Sequence, residues 1–297
     1  MTTKTNHNGI RTLLIALLFM TSLYGHAARQ DTTSVIQQML ANSMSSLDII
    51  EEPQSKVITN AKMIGIGHTN ILDTYLSPER YTGTELVFIS QTTRARQDRK
   101  WSRQIVHQGE MSLAHTRQGD AKEIAGNYNF RYAWHYNWHL LNGKLDLKAG
   151  IETSLNLGFI YNTLGGNNPA QARASLDIEP SGAATYHFTI KNRPLALRYE
   201  LEIPMAGIMF SPQYGQSYYE LFSRGNYDNN AVSTYPGNAP SMLNYLTLDF
   251  QIGNTTLRAG YMGEFRQAKV NNLKNHIYTH AFMIGFVKHF KLINTRP

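Results

Sequence analysis

The stretch Gly126–Leu141 reads GNYNFRYAWHYNWHLL and alternates without a break. Tyr128, Phe130, Tyr132, Trp134, Tyr136, Trp138 and Leu140 share one face, and Asn127, Asn129, Arg131, Ala133, His135, Asn137 and His139 share the other. A helix scatters seven such side chains around its circumference, whereas a strand sets them all on one side. Asn142-Gly143 follows, the strongest short-range hairpin signal, and then Leu145–Tyr161 (LDLKAGIETSLNLGFIY) repeats the pattern. Leu147, Ile151, Leu155, Leu157 and Phe159 face outward there, while Lys144, Asp146, Lys148 and Glu152 face the other way.

Strands of about 15 to 19 residues are far longer than the five or six of a soluble sheet. A tilted strand needs only ~9 to 11 residues to cross the hydrocarbon of a bilayer, so the surplus extends beyond it. The same period of two marks further strands at Val57–His68, Thr84–Arg96, Trp101–His115, Ala172–Ile190, Leu195–Met209, Ser241–Ile252, Thr255–Phe265 and Ile277–Phe290. Pro180 and Gly182 interrupt the sixth strand and predict a bulge or bend there. Short connections at Gln97–Lys100, Asn142-Gly143, Lys191–Arg193 and Gly253-Asn254 alternate with longer ones at Ile71–Gly83, Thr116–Ala125, Thr163–Gln171, Ser211–Pro240 and Arg266–His276. The predicted fold is all-β, a transmembrane antiparallel up-and-down β-barrel of about ten strands, with short turns in the periplasm and long loops outside. Twelve strands are the alternative, if Gln216–Ser223 and Ala231–Tyr235 form a further pair turning at Arg224–Asn229.

The rest of the chain agrees with export to an outer membrane. Residues 1–27 carry a basic start ending at Arg11, an apolar run Leu13–Met20 and small residues to Ala27, the layout of a signal peptide cleaved near Ala27. Residues 28–54 are polar and read as a periplasmic N-terminal extension, which leaves 55–297 for the barrel. The formal charge of +7 falls to +5 without Lys4 and Arg11, too mild and too dispersed for a nucleic-acid partner. The absence of cysteine excludes a lipid-modified cysteine, disulfides, a thiol nucleophile and a thiolate metal site. Beyond the signal no run approaches ~18 apolar residues, so a membrane-embedded chain must close its sheet into a barrel.

Four segments resemble a family of uncharacterised outer-membrane barrel proteins, a domain of unknown function: Ser211–Glu220 (SPQYGQSYYE), Thr255–Tyr261 (TTLRAGY), His280–Lys288 (HAFMIGFVK) and Leu72–Pro78 (LDTYLSP). The resemblance runs from about Val57 to Lys288 and implies the fold and export; it implies no activity. The closing strand, with Phe282, Ile284, Phe286, Lys288 and Phe290 on one face, resembles the address read by the barrel-assembly machinery.

The predicted lumen is rich in charge of both signs. Arg131, His135, Asp146, Lys148, Glu152, Arg198, Glu200 and Arg258 are candidates for a polar plug or a ligand site, since opposite charges at i, i+2 and on neighbouring strands can neutralise one another. The longest loop offers Tyr214, Tyr218, Tyr219 and Tyr227 among amide side chains, a composition that suits a glycan or lipid headgroup. His135 and His139 lie about 13 Å apart along a strand and cannot share a metal. No catalytic set, cofactor motif or metal site is assigned; the expected partners are outer-membrane lipid and the assembly machinery. The reading is a plugged barrel acting in ligand binding or as a scaffold at the cell surface, with a small channel or an embedded hydrolase as alternatives. His280 is singled out as an ionisable group on the outward face. A charge at Trp134 on that face is expected to disturb assembly, and one at Ala133, on the opposite face, to be better tolerated.

Overall fold

In the computed structural model the described residues are 56–96, 99–166, 168–253 and 255–292, so the signal peptide and the 28–54 extension lie outside them. The elements run β1 (Lys56–Asp73), β2 (Tyr81–Arg96), β3 (Trp101–His115), β4 (Lys122–Leu140), β5 (Leu145–Asn162), β6 (Ala170–Ile190), β7 (Arg193–Glu202) and β8 (Ala206–Phe210). A short helix α1 (Tyr218–Phe222), β9 (Ala231–Thr234), β10 (Met242–Ile252), β11 (Thr255–Val270) and β12 (Leu273–Leu292) complete them. All pairings are antiparallel, and ten strands close through β1–β12 and β5–β6. Closure leaves no sheet edge for lipid to meet, the condition for a sheet in hydrocarbon.

The registers fix the barrel's shape. From Val57 the ladder passes through Ala95, Ser102, His135, Gly150, Ser181, Glu202, Leu243, Glu264 and Thr279, and returns to β1 at Thr69, twelve residues further on. For ten strands that stagger corresponds to a tilt of about 40° and a rise of ~2.5 Å per residue along the axis. The predicted faces hold: Trp134 and Ile151 are exposed on the outer wall, while Asn129, Arg131 and His135 on β4 and Glu152 and Ser154 on β5 are buried inside. Aromatic girdles bound this wall, with Tyr136, Trp138, Trp101, Tyr186 and Phe250 on the periplasmic side and Tyr128, Phe159, Phe265 and Tyr278 on the other.

Several expectations are corrected. The sixth strand is continuous through Pro180, and the extra residue sits on its neighbour. Ser181 pairs with Glu202 but Ile178 with Ala206, so three steps on β6 face four across Pro204. β8 therefore continues the line of β7, and β9 pairs with β8. The sheet counts twelve strands and the barrel ten; Tyr218–Phe222, read in the alternative as part of a strand, is helical. Arg266–His276 is not an irregular loop, because β11 and β12 extend to a two-residue turn at Asn271 and Asn272, with φ of 51° and 60°. Asparagine tolerates that left-handed backbone, which matches the twist of the flanking strands. Ala133 faces inward but is wholly buried, so a charge there meets packed side chains instead of water.

Ile151, 60% exposed near mid-height of the wall, gives the cleaner test. Ile151→Lys should lower urea stability in vesicles by ~2 to 4 kcal/mol. Lys148→Glu, three residues before it on the inner face, should leave stability within about 1 kcal/mol.

Candidate functional site

The lumen is divided at mid-height by a layer of interlocked side chains. Arg131 is its centre: Nε lies 3.2 Å from Glu152 and 3.3 Å from Glu202, and Nη1 donates to Gln108 Oε1 at 3.0 Å and Asn129 Oδ1 at 2.7 Å. Gln108 also accepts from the Tyr245 hydroxyl at 2.9 Å, and it donates to Glu264 at 2.7 Å and to Glu110. Beneath them Glu200 accepts from Arg198 at 2.8 Å, from Gln104 at 2.7 Å and from Gln91 at 3.2 Å. The opposite side of the layer is apolar, filled by Met63, Val87, Ile89, Val106, Met262 and Met283. A charged network packed against methionine and valine has little room for water and is strengthened by the low local dielectric.

Above and below this layer the lumen opens. On the extracellular side a cavity of about 90 Å³ lies among Asn156, Arg173, Asp177, Glu179 and Arg266. On the periplasmic side a cup of about 980 Å³ is lined by Lys144, Asp146, Lys148, Arg198, Asp249 and Arg258, with His187 and His289 at its mouth. Arg258 grips Asp249 with two bonds of 2.6 and 2.7 Å. Asp146 accepts from or shares protons with His139 at 2.6 Å and His187 at 2.8 Å. Among the described residues no hydrogen bond or ion pair holds the Lys144 or Lys148 ammonium, so the cup keeps unneutralised positive charge.

The eight lumen candidates thus divide between two places. Arg131, Glu152 and Glu200 belong to the closing layer; Asp146, Lys148, Arg198 and Arg258 line the cup. His135 sits between them, its Nε2 2.7 Å from Ser181 Oγ, but both residues are buried and no carboxylate meets Nδ1 among the described residues. Sequence reasoning missed Gln108, Gln104, Gln91, Glu110, Tyr245 and Arg266. The alternation of β3 could have placed Gln104, Gln108 and Glu110 inside, since they share parity with buried Ser102 and Val106.

The loop tyrosines do not converge on a cavity. Tyr218 is structural, its hydroxyl accepting a hydrogen bond from Ala172 N–H at 2.6 Å and donating to Gln171 at 3.0 Å, with its ring packed on Tyr75 and Phe222. Burial raises its hydroxyl pKa; burial, with Tyr218 and Asp73 alongside, pushes that of Tyr75 up to about 12. Tyr214, Tyr219 and Tyr227 are exposed, Tyr219 beneath the Arg224 guanidinium. The loop itself is ordered: Ser217 caps α1 in a capping box with Glu220, Tyr75 donates to Gln216 O at 2.9 Å, and Asn271 donates to Ser211 O and Asn229 O. His280 bonds the Tyr261 hydroxyl at 2.6 Å within the upper aromatic girdle, beside Phe265.

A family model described as a protein of unknown function (DUF3316) matches residues 14–297. The chain belongs to the DUF3316 family. No curated protein matches it. Among solved structures it is similar to the transport unit of the autotransporter AIDA-I from Escherichia coli, at 8% identity and TM-score 0.41 over 88% of this chain and 99% of that one. It is similar to the outer membrane protease OmpT from Escherichia coli, at 8% identity and TM-score 0.41 over 81% and 98%. Neisserial surface protein A is similar at 13% identity and TM-score 0.30 over 80% and 97%. The activities of those proteins are their own and are not carried to this chain.

Two outcomes are expected of this DUF3316 barrel. Arg131→Ala leaves Glu152 and Glu202 buried without their cation, so stability in urea should fall by about 3 to 5 kcal/mol, and proteoliposomes should swell faster in small sugars than with the unmodified chain. Ser217→Ala removes the cap of α1 at a cost of ~1 kcal/mol, and should hasten protease cleavage within residues 211–230 while leaving the barrel intact.

Proposed function

We propose that this protein is a plugged outer-membrane barrel that binds an anionic ligand in the cup facing the periplasm. The observation that carries it is the pairing of a closed mid-height layer with an open cup below whose Lys144 and Lys148 ammonium groups are held by no hydrogen bond or ion pair among the described residues. A volume of about 980 Å³ matches a small-molecule site, which is usually a preformed concavity with few charged anchors. Arg198 and Arg258 are held rigid by Glu200 and Asp249, so they present fixed donors, while the two lysines supply mobile charge. Phosphate and carboxylate groups fit that donor set. The extracellular face acts as a closed cap, and its exposed Tyr214, Tyr219 and Tyr227 are available to glycans or headgroups only as a surface. Export with cleavage near Ala27, a 28–54 periplasmic extension, and delivery of β12 to the assembly machinery are part of the same proposal.

Titrating the purified full chain in detergent with pyrophosphate tests the cup. Saturable binding is expected, weakened by about tenfold or more in Lys148→Ala. No binding, or binding unchanged in Lys144→Ala/Lys148→Ala, would remove the ligand from this proposal.

A further inference from the structure

Lipid-facing charge is costly in a barrel wall, and among the described residues this wall carries it in one place. From the lower girdle to the upper, the charged side chains on the outward face of the described strands are Lys62, Arg94, Arg103 and Lys288, all exposed. They occupy four consecutive strands, β1, β2, β3 and β12, and no Asp or Glu accompanies them. The registers join them into one patch. Lys62 pairs with Ser90 and Phe286, Asn60 with Thr92 and Lys288, Arg94 with Arg103, and Ser90 with His107. Asn60 donates to Thr92 at 2.8 Å and His107 bonds Tyr128 at 2.7 Å, so the neutral groups satisfy one another. Lys288 lies over the Phe286 ring, whereas no hydrogen bond or ion pair holds Lys62, Arg94 or Arg103 among the described residues. The patch lies wholly in the periplasmic half of the wall, and its highest member, Lys62, stands ~10 Å above the lower girdle near mid-height.

We infer that this patch binds the phosphate of anionic phospholipids in the periplasmic leaflet and draws their headgroups up along β1–β3. Several cations beside hydroxyl and amide groups, without an acid, form the complement of a phosphodiester. A second copy of the chain presenting the same face would set like charges against one another, which disfavours a symmetric contact. Long lysine and arginine stems let the charged ends reach downward, while the lipid phosphate rises to meet Lys62. The site is separate from the cup, and neither depends on the other.

All three tryptophans report on this region: Trp101 and Arg103 share the outward face of β3, Arg103 pairs with Trp134, and Trp138 lies lower on β4. The full chain reconstituted in phosphatidylcholine vesicles is titrated with brominated phosphatidylglycerol or brominated phosphatidylcholine, and quenching of tryptophan fluorescence is read. Preferential quenching by the anionic lipid is expected, with about a fivefold loss of that preference for each cation removed in Lys62→Leu and in Arg94→Leu/Arg103→Leu. These changes make the wall more apolar, and heat-modifiable gel migration confirms that each variant is folded. Lys122→Leu at the opposite rim should leave the preference unchanged. Equal quenching by the two lipids, or a preference unaltered in both patch variants, would overturn the inference. A Lys62→Cys chain that links to a second copy in the membrane would overturn it in favour of a self-contact.

Discussion

Every backbone N–H and C=O in the hydrocarbon must find a partner within the chain, and the rest of this molecule follows from meeting that demand with a sheet. Closure through β1–β12 and β5–β6 removes the edges, and the twelve-residue stagger around ten strands sets tilt and diameter together. A barrel of that girth has an interior only a few side chains wide. Once the period of two is fixed, each strand delivers one set of residues to lipid and the other to a confined lumen, so the identity of the inward residues decides what can pass.

Those inward residues do not fill the lumen evenly. At mid-height Arg131, Glu152, Glu202 and Gln108 interlock against Tyr245 and the methionine cluster, while the periplasmic third carries basic side chains that do not reach across. The closed layer therefore separates two compartments of different character. The upper one is small and lined by charges of both signs, whereas the lower one is large and left with surplus cations. Arg198 and Arg258, candidates in the sequence for a polar plug or a ligand site, line the lower compartment.

Much of this was legible in the sequence because lipid writes a strong signal. Between the girdles the outward side of β4 and β5 is apolar throughout, so these strands declared themselves through Tyr128–Leu140 and Leu145–Tyr161, and the boundaries of β3 were found to the residue. Outside the bilayer both faces of a strand meet water and the contrast fades. That is why Gln267 and Lys269 on the outward side of β11 concealed a strand, and why the turn at Asn271 and Asn272 passed for a loop. The bulge was placed on the wrong strand because Pro180 and Pro204 lie on neighbours, and sequence alone does not say which of two paired strands takes the extra residue. In the lumen, charge drew attention to Arg131 and Glu152, but the glutamine that joins them to Tyr245 and Glu264 has no charge to mark it.

The division of the lumen is the claim on which the functional reading stands, and single-channel recording of the unmodified protein in a planar bilayer measures it most directly. A barrel closed at mid-height by Arg131 and its partners gives no steady current across the range of voltages the bilayer withstands. A large, stable single-channel conductance would contradict it and make the barrel an open conduit.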